Sequence, residues 1–111
     1  HIGSLYPNRD EINESKRWAI GVEMKTPPSI SLTLPVMLRA KQSVVSAAGK
    51  SDKYPKGKAS AMRLAIEDSE ITPNQFPACA LRRTALWILD EPNGSEMPSI
   101  KRVSKEDLML S

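Results

Sequence analysis

The amino-acid sequence reads as an α/β layered domain. Three features point to it. Segments with a two-residue hydrophobic period alternate along the chain with segments of helical period. A β-branched run at 43–48 is closed at once by Gly49, as in a buried strand with a tight exit. Ala59, Met62, Ala65 and Ile66 then recur at i, i+3, i+6 and i+7, which is one face of a helix.

Residues 1–8 read as a loop-to-helix entry or a short turn, stopped by Pro7-Asn8, and the charged stretch 9–17 is expected to face solvent. Residues 18–24 alternate, with Ile20, Val22 and Met24 on one face of a first strand. Pro27-Pro28 forces a turn over 25–29. Ile30, Leu32 and Leu34 then point one way, and Ser29, Ser31 and Thr33 the other, which predicts a second strand. Pro35 ends it and, being tolerated in a first helical turn, opens a short helix over 36–41. The third strand is the buried run at 43–48. Residues 51–68 are helical, with Ser51 or Asp52 at the cap. A loop at 72–77 holds Pro73 and Pro77 and leads to a short strand at 78–81. The last strand, 84–89, is closed by Asp90-Glu91-Pro92-Asn93-Gly94. The tail from Ser95 is polar as far as Leu108-Met109-Leu110, with a short helix from Ser104 that has Asp107 at its third position. No repeat or low-complexity segment interrupts the chain.

The 111 residues suffice for one domain with a modest core. A hydrophobic share of 40% and a charged share of 26% fit a globular chain rather than a disordered one. No apolar run approaches the roughly 18 residues that cross a bilayer. The first residues are polar and lack the apolar core of a secretion signal, and a single cysteine, Cys79, fits a reducing compartment. The expected setting is therefore cytoplasmic. One Cys and one His cannot build a zinc site. The net charge of +3 is mild, the basic residues are dispersed, and there are only one Phe, two Tyr and two Trp. That argues against a nucleic-acid surface and suits a small anionic ligand.

The only histidine is His1, beside Gly3 and Ser4. Neutral imidazole takes a proton from water near pH 7, so His1 is a candidate general base, weighed against a solvated chain end. Ser4 has no Gly-x-Ser-x-Gly elbow around it, which disfavours a serine nucleophile. Cys79 sits in an apolar stretch and reads as an inert buried thiol. Lys50 and Lys53 follow the glycine exit of the third strand, and ligands of open α/β sheets bind at strand carboxyl ends.

Four segments in order resemble the 6-phosphogluconolactonase family. His1-Ile2-Gly3-Ser4-Leu5-Tyr6-Pro7 is similar to the second half of its Gly-x-Asp-Gly-His-x-x-Ser-Leu-Phe-Pro motif. Residues 27–36, Pro-Pro-Ser-Ile-Ser-Leu-Thr-Leu-Pro-Val, are similar to its Pro-Pro-x-Arg-Ile-Thr-Leu-Thr-Leu-Pro-Val segment. Val44-Val45-Ser46-Ala47-Ala48-Gly49 with the lysines that follow resembles its valine strand and Gly-x-x-Lys turn. Phe76-Pro77-Ala78, Leu81-Arg82 and Leu86-Trp87-Ile88-Leu89-Asp90-Glu91 resemble its closing segments. The likeness covers about residues 1–96, leaving 97–111 as a polar tail.

The resemblance implies the C-terminal part of a Rossmann-like three-layer α/β/α sandwich, of the sugar-phosphate isomerase kind. The family's phosphate loop and the rest of its N-terminal half lie upstream of the matching segments. It implies lactone hydrolysis in the oxidative pentose phosphate pathway, with His1 as the general base and no metal or cofactor. The partner would be a small sugar-phosphate lactone, with no nucleic acid or membrane, and an exposed sheet would allow association. Lys53 is the phosphate contact it favours, with Lys50 as the alternative because the turn is one residue longer than in the family. Arg82 is a further phosphate candidate. The family's arginine before the Ile-Thr-Leu-Thr-Leu-Pro run is Ser29 here. Two other readings stand beside this one: an amino-sugar phosphate deaminase or isomerase, and a non-catalytic remnant.

Overall fold

Prolines and glycines set most of the boundaries in this chain. The computed structural model describes residues 1–104 and 106–108. After a 3₁₀ turn at Asp10–Asn13 come β1 (Ala19–Val22), β2 (Ser29–Leu32), α1 (Leu34–Arg39) and β3 (Ser43–Ala47). They are followed by α2 (Ala59–Glu67), a 3₁₀ turn at Pro77–Leu81, β4 (Ala85–Leu89), α3 (Glu91–Gly94) and a last 3₁₀ turn at Glu106–Leu108. The architecture is mixed α/β. The strands form two separate pairs among the described residues: β1 with β2 antiparallel, and β3 with β4 parallel. None of the helices among the described residues is long and apolar enough to cross a membrane.

β2 buries its hydroxyl face. Ile30 is 79% exposed and Leu32 54%, whereas Ser31 and Thr33 are buried at 4% and 0%. The small hydroxyls lie inside because main-chain groups need them there. Ser31 Oγ accepts from the Ser4 amide at 3.2 Å and donates to the Leu32 carbonyl at 2.8 Å. Thr33 Oγ1 donates to the Arg17 carbonyl at 2.7 Å. In the antiparallel register, Ile20 and Val22 of β1 stand opposite Ser31 and Ser29, so their face turns inward as expected. Leu34, now at the start of α1, joins Leu5 and Ile12 in a first core cluster that Ile2, Ile20, Met37 and Ala80 extend.

β3 is covered on one side only, not buried throughout. Its register with β4 pairs Val45 with Trp87 and Ala47 with Leu89 on the covered face. Ala47 packs there with Met62 of α2 and Met97, and with Trp87, Leu89, Ile66 and Ile100 around them. On the other face Val44, Leu86 and Ile88 are exposed. The chain thus stays packed as far as Ile100, past the expected start of the tail.

Two elements differ from expectation for local reasons. The helix expected over 51–68 begins only at Ala59. Pro55 removes a donor, Gly57 sits at φ +59°, and Ser51 is taken up by a local turn, its hydroxyl accepting from the Tyr54 amide at 3.0 Å. The predicted inward face survives: Ala59, Met62 and Ala65 are buried. The strand expected over 78–81 is a 3₁₀ turn, because Pro77 stands at its start with the fixed φ that favours helical geometry. At the tail, the Ser104 amide donates to Asp107 Oδ2 at 2.9 Å and the Asp107 amide returns to Ser104 Oγ at 3.3 Å, which caps the last 3₁₀ turn. Met109 and Leu110 lie outside the described residues.

Candidate active site and its lysine loop

Parallel pairing brings the carboxyl ends of β3 and β4 side by side at Ala47 and Leu89. β3 runs on into a loop over 48–58, and β4 runs on into Asp90 and α3. The Asp90 amide donates to the Ala47 carbonyl at 3.3 Å, which continues the ladder by one step. The Asp90 carboxylate caps α3, accepting from the Asn93 amide at 3.2 Å and from Asn93 Nδ2 at 2.6 Å. It also accepts from the Gly49 amide at 2.7 Å. The Asn93 side chain and then the Gly49 amide hold its carboxyl below the usual aspartate range.

Asn93 is 1% exposed, and each polar atom of its side chain is partnered. Nδ2 donates to Asp90 and, at 3.0 Å, to the Gly49 carbonyl; Oδ1 accepts from the Lys58 amide at 2.7 Å. The loop is therefore gripped at both ends by one residue. Gly57 lies against the same point. A β-carbon there would stand 2.5 Å from the Gly49 carbonyl oxygen and 2.6 Å from Asn93 Oδ1, so only glycine fits.

The loop lines a cavity of about 920 Å³. Lys50, Lys53, Lys56 and Lys58 all contribute to its wall, with Tyr54, Ser60 and Glu96. Lys53 Nζ lies 5.4 Å from the centre of the Tyr54 ring, a cation–π contact that restrains a long flexible side chain. Ser60 Oγ donates to Glu96 Oε2 at 2.6 Å. Four lysines against one glutamate make the wall attractive to an anion.

His1 stands on the other core cluster. Ile2 and Leu5 exchange main-chain hydrogen bonds of 3.1 and 3.0 Å around a tight turn, with Gly3 at φ +56°. Leu5 is fully buried and anchors the turn, and the Ser4 amide ties it to Ser31 of β2. The imidazole is stacked on Tyr6, with ring centres 4.6 Å apart. Its Nδ1 is 3.1 Å from the Gly3 carbonyl. With a proton on Nδ1 the ring donates to that oxygen and leaves the Nε2 lone pair available as a base. Lys25 reaches the same turn, its Nζ 3.4 Å from Ser4 Oγ and 5.9 Å from the Tyr6 ring centre.

A family profile described as glucosamine-6-phosphate isomerases/6-phosphogluconolactonase matches residues 1–89. The chain belongs to this family. It is 38% identical over 104 residues to the 6-phosphogluconolactonase of Streptomyces coelicolor, covering 88% of this chain and 36% of that one. It is 34% identical over 104 residues to the 6-phosphogluconolactonase of Mycobacterium tuberculosis, covering 89% and 39%. Against a probable 6-phosphogluconolactonase 1 of Arabidopsis thaliana it is 31% identical over 109 residues, covering 91% and 38%. The chain spans less than two-fifths of the length of these curated relatives.

In this member of the 6-phosphogluconolactonase/isomerase family, Lys50 and Lys53 share one cavity, and His1 is not among the residues that line it. Arg82 joins neither group. Its guanidinium donates to the carbonyls of Ala65 at 2.7 Å, Leu64 at 3.1 Å and Asp68, so it closes the end of α2. Sequence reasoning missed Asn93 and Lys25. The run Asp90-Glu91-Pro92-Asn93-Gly94 reads as a turn, and nothing local in it announces that Asn93 reaches across to a distant loop. An aspartate before a proline-bearing first helical turn was the available sign of a cap. Among the described residues no group of three or more His, Cys, Asp or Glu side chains is placed to hold a metal ion.

Proposed function

We propose that this chain is the C-terminal part of a cytoplasmic 6-phosphogluconolactonase with a Rossmann-like three-layer fold. The reaction is hydrolysis of 6-phospho-D-glucono-1,5-lactone to 6-phosphogluconate in the oxidative pentose phosphate pathway. His1 Nε2 takes a proton from water, whose oxygen attacks the lactone carbonyl carbon. The ring C–O bond then breaks, and the imidazolium returns its proton to the departing ring oxygen. Lys53, or Lys50 on the same loop, pairs with the substrate phosphate as a point charge. Ester hydrolysis transfers no electrons between partners, so the proposal names no cofactor.

The observation that best supports this reading is the His1 turn. Its Nδ1 lies 3.1 Å from the Gly3 carbonyl, so the tautomer that donates there keeps Nε2 as the base, on a turn whose residues fit the lactonase motif. The test follows lactone loss, with spontaneous opening subtracted, in the whole protein that carries this chain. His1→Ala is expected to lower the rate by about 10²–10⁴-fold while the fold is kept. Hydrolysis within tenfold of the parent would overturn the assignment. Turnover of glucosamine 6-phosphate instead of the lactone would move the proposal to the isomerase branch of the family.

A further inference from the structure

We infer that Asn93 is a positioning residue for the phosphate site: its buried carboxamide, steered by Asp90, sets where Lys50 and Lys53 stand at the carboxyl end of β3. The phosphate part of this inference rests on the function proposed above; the clamp itself does not.

The loop over 48–58 has few ties of its own. Ser51 and Tyr54 close a local turn, and the Gly57 amide donates back to the Tyr54 carbonyl at 2.9 Å. Those bonds shape the loop but do not locate it. Among the described residues, the hydrogen bonds that carry it to the β4 side all end on Asp90 or Asn93. Asn93 holds Gly49 and Lys58, the two ends of the loop, at one point. Removing it would strand a main-chain donor and a main-chain acceptor and release both ends together.

Gly57 gives an independent way to break the same contact. A β-carbon there collides with the Gly49 carbonyl and with Asn93, and the backbone at φ +59° resists a side chain. Gly57→Ala, made from the loop side, must therefore reproduce Asn93→Ala, made from the α3 side.

Lysines are trypsin sites, so the loop reports on itself. The experiment digests the folded whole protein that carries this chain and the two variants, comparing cleavage after Lys50, Lys53 and Lys56 with cleavage after exposed Arg17, just before β1. Calorimetry in parallel measures binding of 6-phosphogluconate and of unphosphorylated gluconate. Both variants are expected to raise loop cleavage relative to Arg17 by about tenfold or more. Both are also expected to lose most of the preference for the phosphorylated ligand. An unchanged cleavage ratio in either folded variant overturns the clamp. Equal acceleration at the loop and at Arg17 also overturns it, since Asn93 would then support the whole fold instead of the loop. Variants that keep full preference for the phosphorylated ligand overturn the positioning role. If the parent chain binds neither ligand while the cleavage ratio rises, the phosphate reading fails and the clamp stands.

Discussion

Arg82 Nε donates to the main-chain carbonyl of Ala65 at 2.7 Å, across the carboxyl end of α2. Helix ends leave carbonyls without intrahelical partners, and a cation there also meets the negative end of the helix dipole. One guanidinium reaches three carbonyls here: that of Ala65, and those of Leu64 and Asp68, which also accept from the Asp68 and Ile71 amides. Arg82→Ala is expected to cost about 1.5–3 kcal/mol of stability, the range for hydrogen bonds to charged groups. Urea denaturation measures it. The folded variant should bind 6-phosphogluconate as the parent does; a selective loss of phosphate affinity with unchanged stability would return Arg82 to the binding site.

Lys53 and Lys50 can be separated by their substrates. Lys53→Ala, in the whole protein, is expected to weaken recognition of the phosphorylated lactone by about 10- to 150-fold, the effect of one charge-assisted contact. An unphosphorylated gluconolactone should be little affected, because it never made the contact. Equal losses on both substrates would remove Lys53 as a phosphate ligand. A phosphate-selective loss in Lys50→Ala alone would move the contact to the residue directly after Gly49.

Asp90 predicts a pH dependence with a definite sign. Hydrogen bonds from Asn93 and Gly49 favour its charged form and hold its folded pKa below the ordinary value. Its contribution to stability is then whole above the unfolded aspartate pKa of about 3.9 and is lost as pH falls through the lower folded value. Asp90→Asn lacks that titration. The urea midpoint of the parent should exceed that of Asp90→Asn at pH 6, and the gap should narrow as pH drops below about 4. A gap that stays constant from pH 6 to pH 2 would show that the carboxylate charge contributes nothing to the clamp.

The open face of the β3–β4 pair predicts association. Val44, Leu86 and Ile88 are all exposed on it, and Ile30 and Leu32 are exposed on the other pair, with Trp18 just before it. Apolar two-stranded sheets of this kind invite contact with a second chain. Light scattering on the 111-residue chain is expected to show mass rising with concentration, and a Leu86→Lys/Ile88→Lys double variant is expected to suppress the rise. A parent that stays monomeric at high concentration would count against this reading.

Some of this was legible residue by residue. Strand periods located β1, β2, β3 and β4 within a few positions, and the i, i+3, i+6 spacing named the buried face of α2 correctly. Local chemistry was enough there, because a strand or helix face is repeated in the sequence itself. The same logic stops short in β2. Alternation shows that Ile30 and Leu32 share a face, but not which face the rest of the chain covers, and the hydroxyls of Ser31 and Thr33 were needed inside by the main chain of the His1 turn and of Arg17. The helix expected over 51–68 is cut back to Ala59, where Pro55 and Gly57 interrupt its start.

The sequence by itself determined the mixed α/β order, the family, and the chemical character of His1, Lys50 and Lys53, since these depend on residue types and spacings along the chain. Only the tertiary structure decided that Arg82 serves the end of α2, that Lys25 meets the His1 turn, and that Asn93 joins Gly49 to Lys58. Each of these is a hydrogen bond or contact between segments far apart in the chain. The Arg82 and Asn93 contacts arise when β3 and β4 pair and α2 packs on them, the Lys25 contact when the His1 turn docks on Ser31 of β2, and no local propensity encodes them.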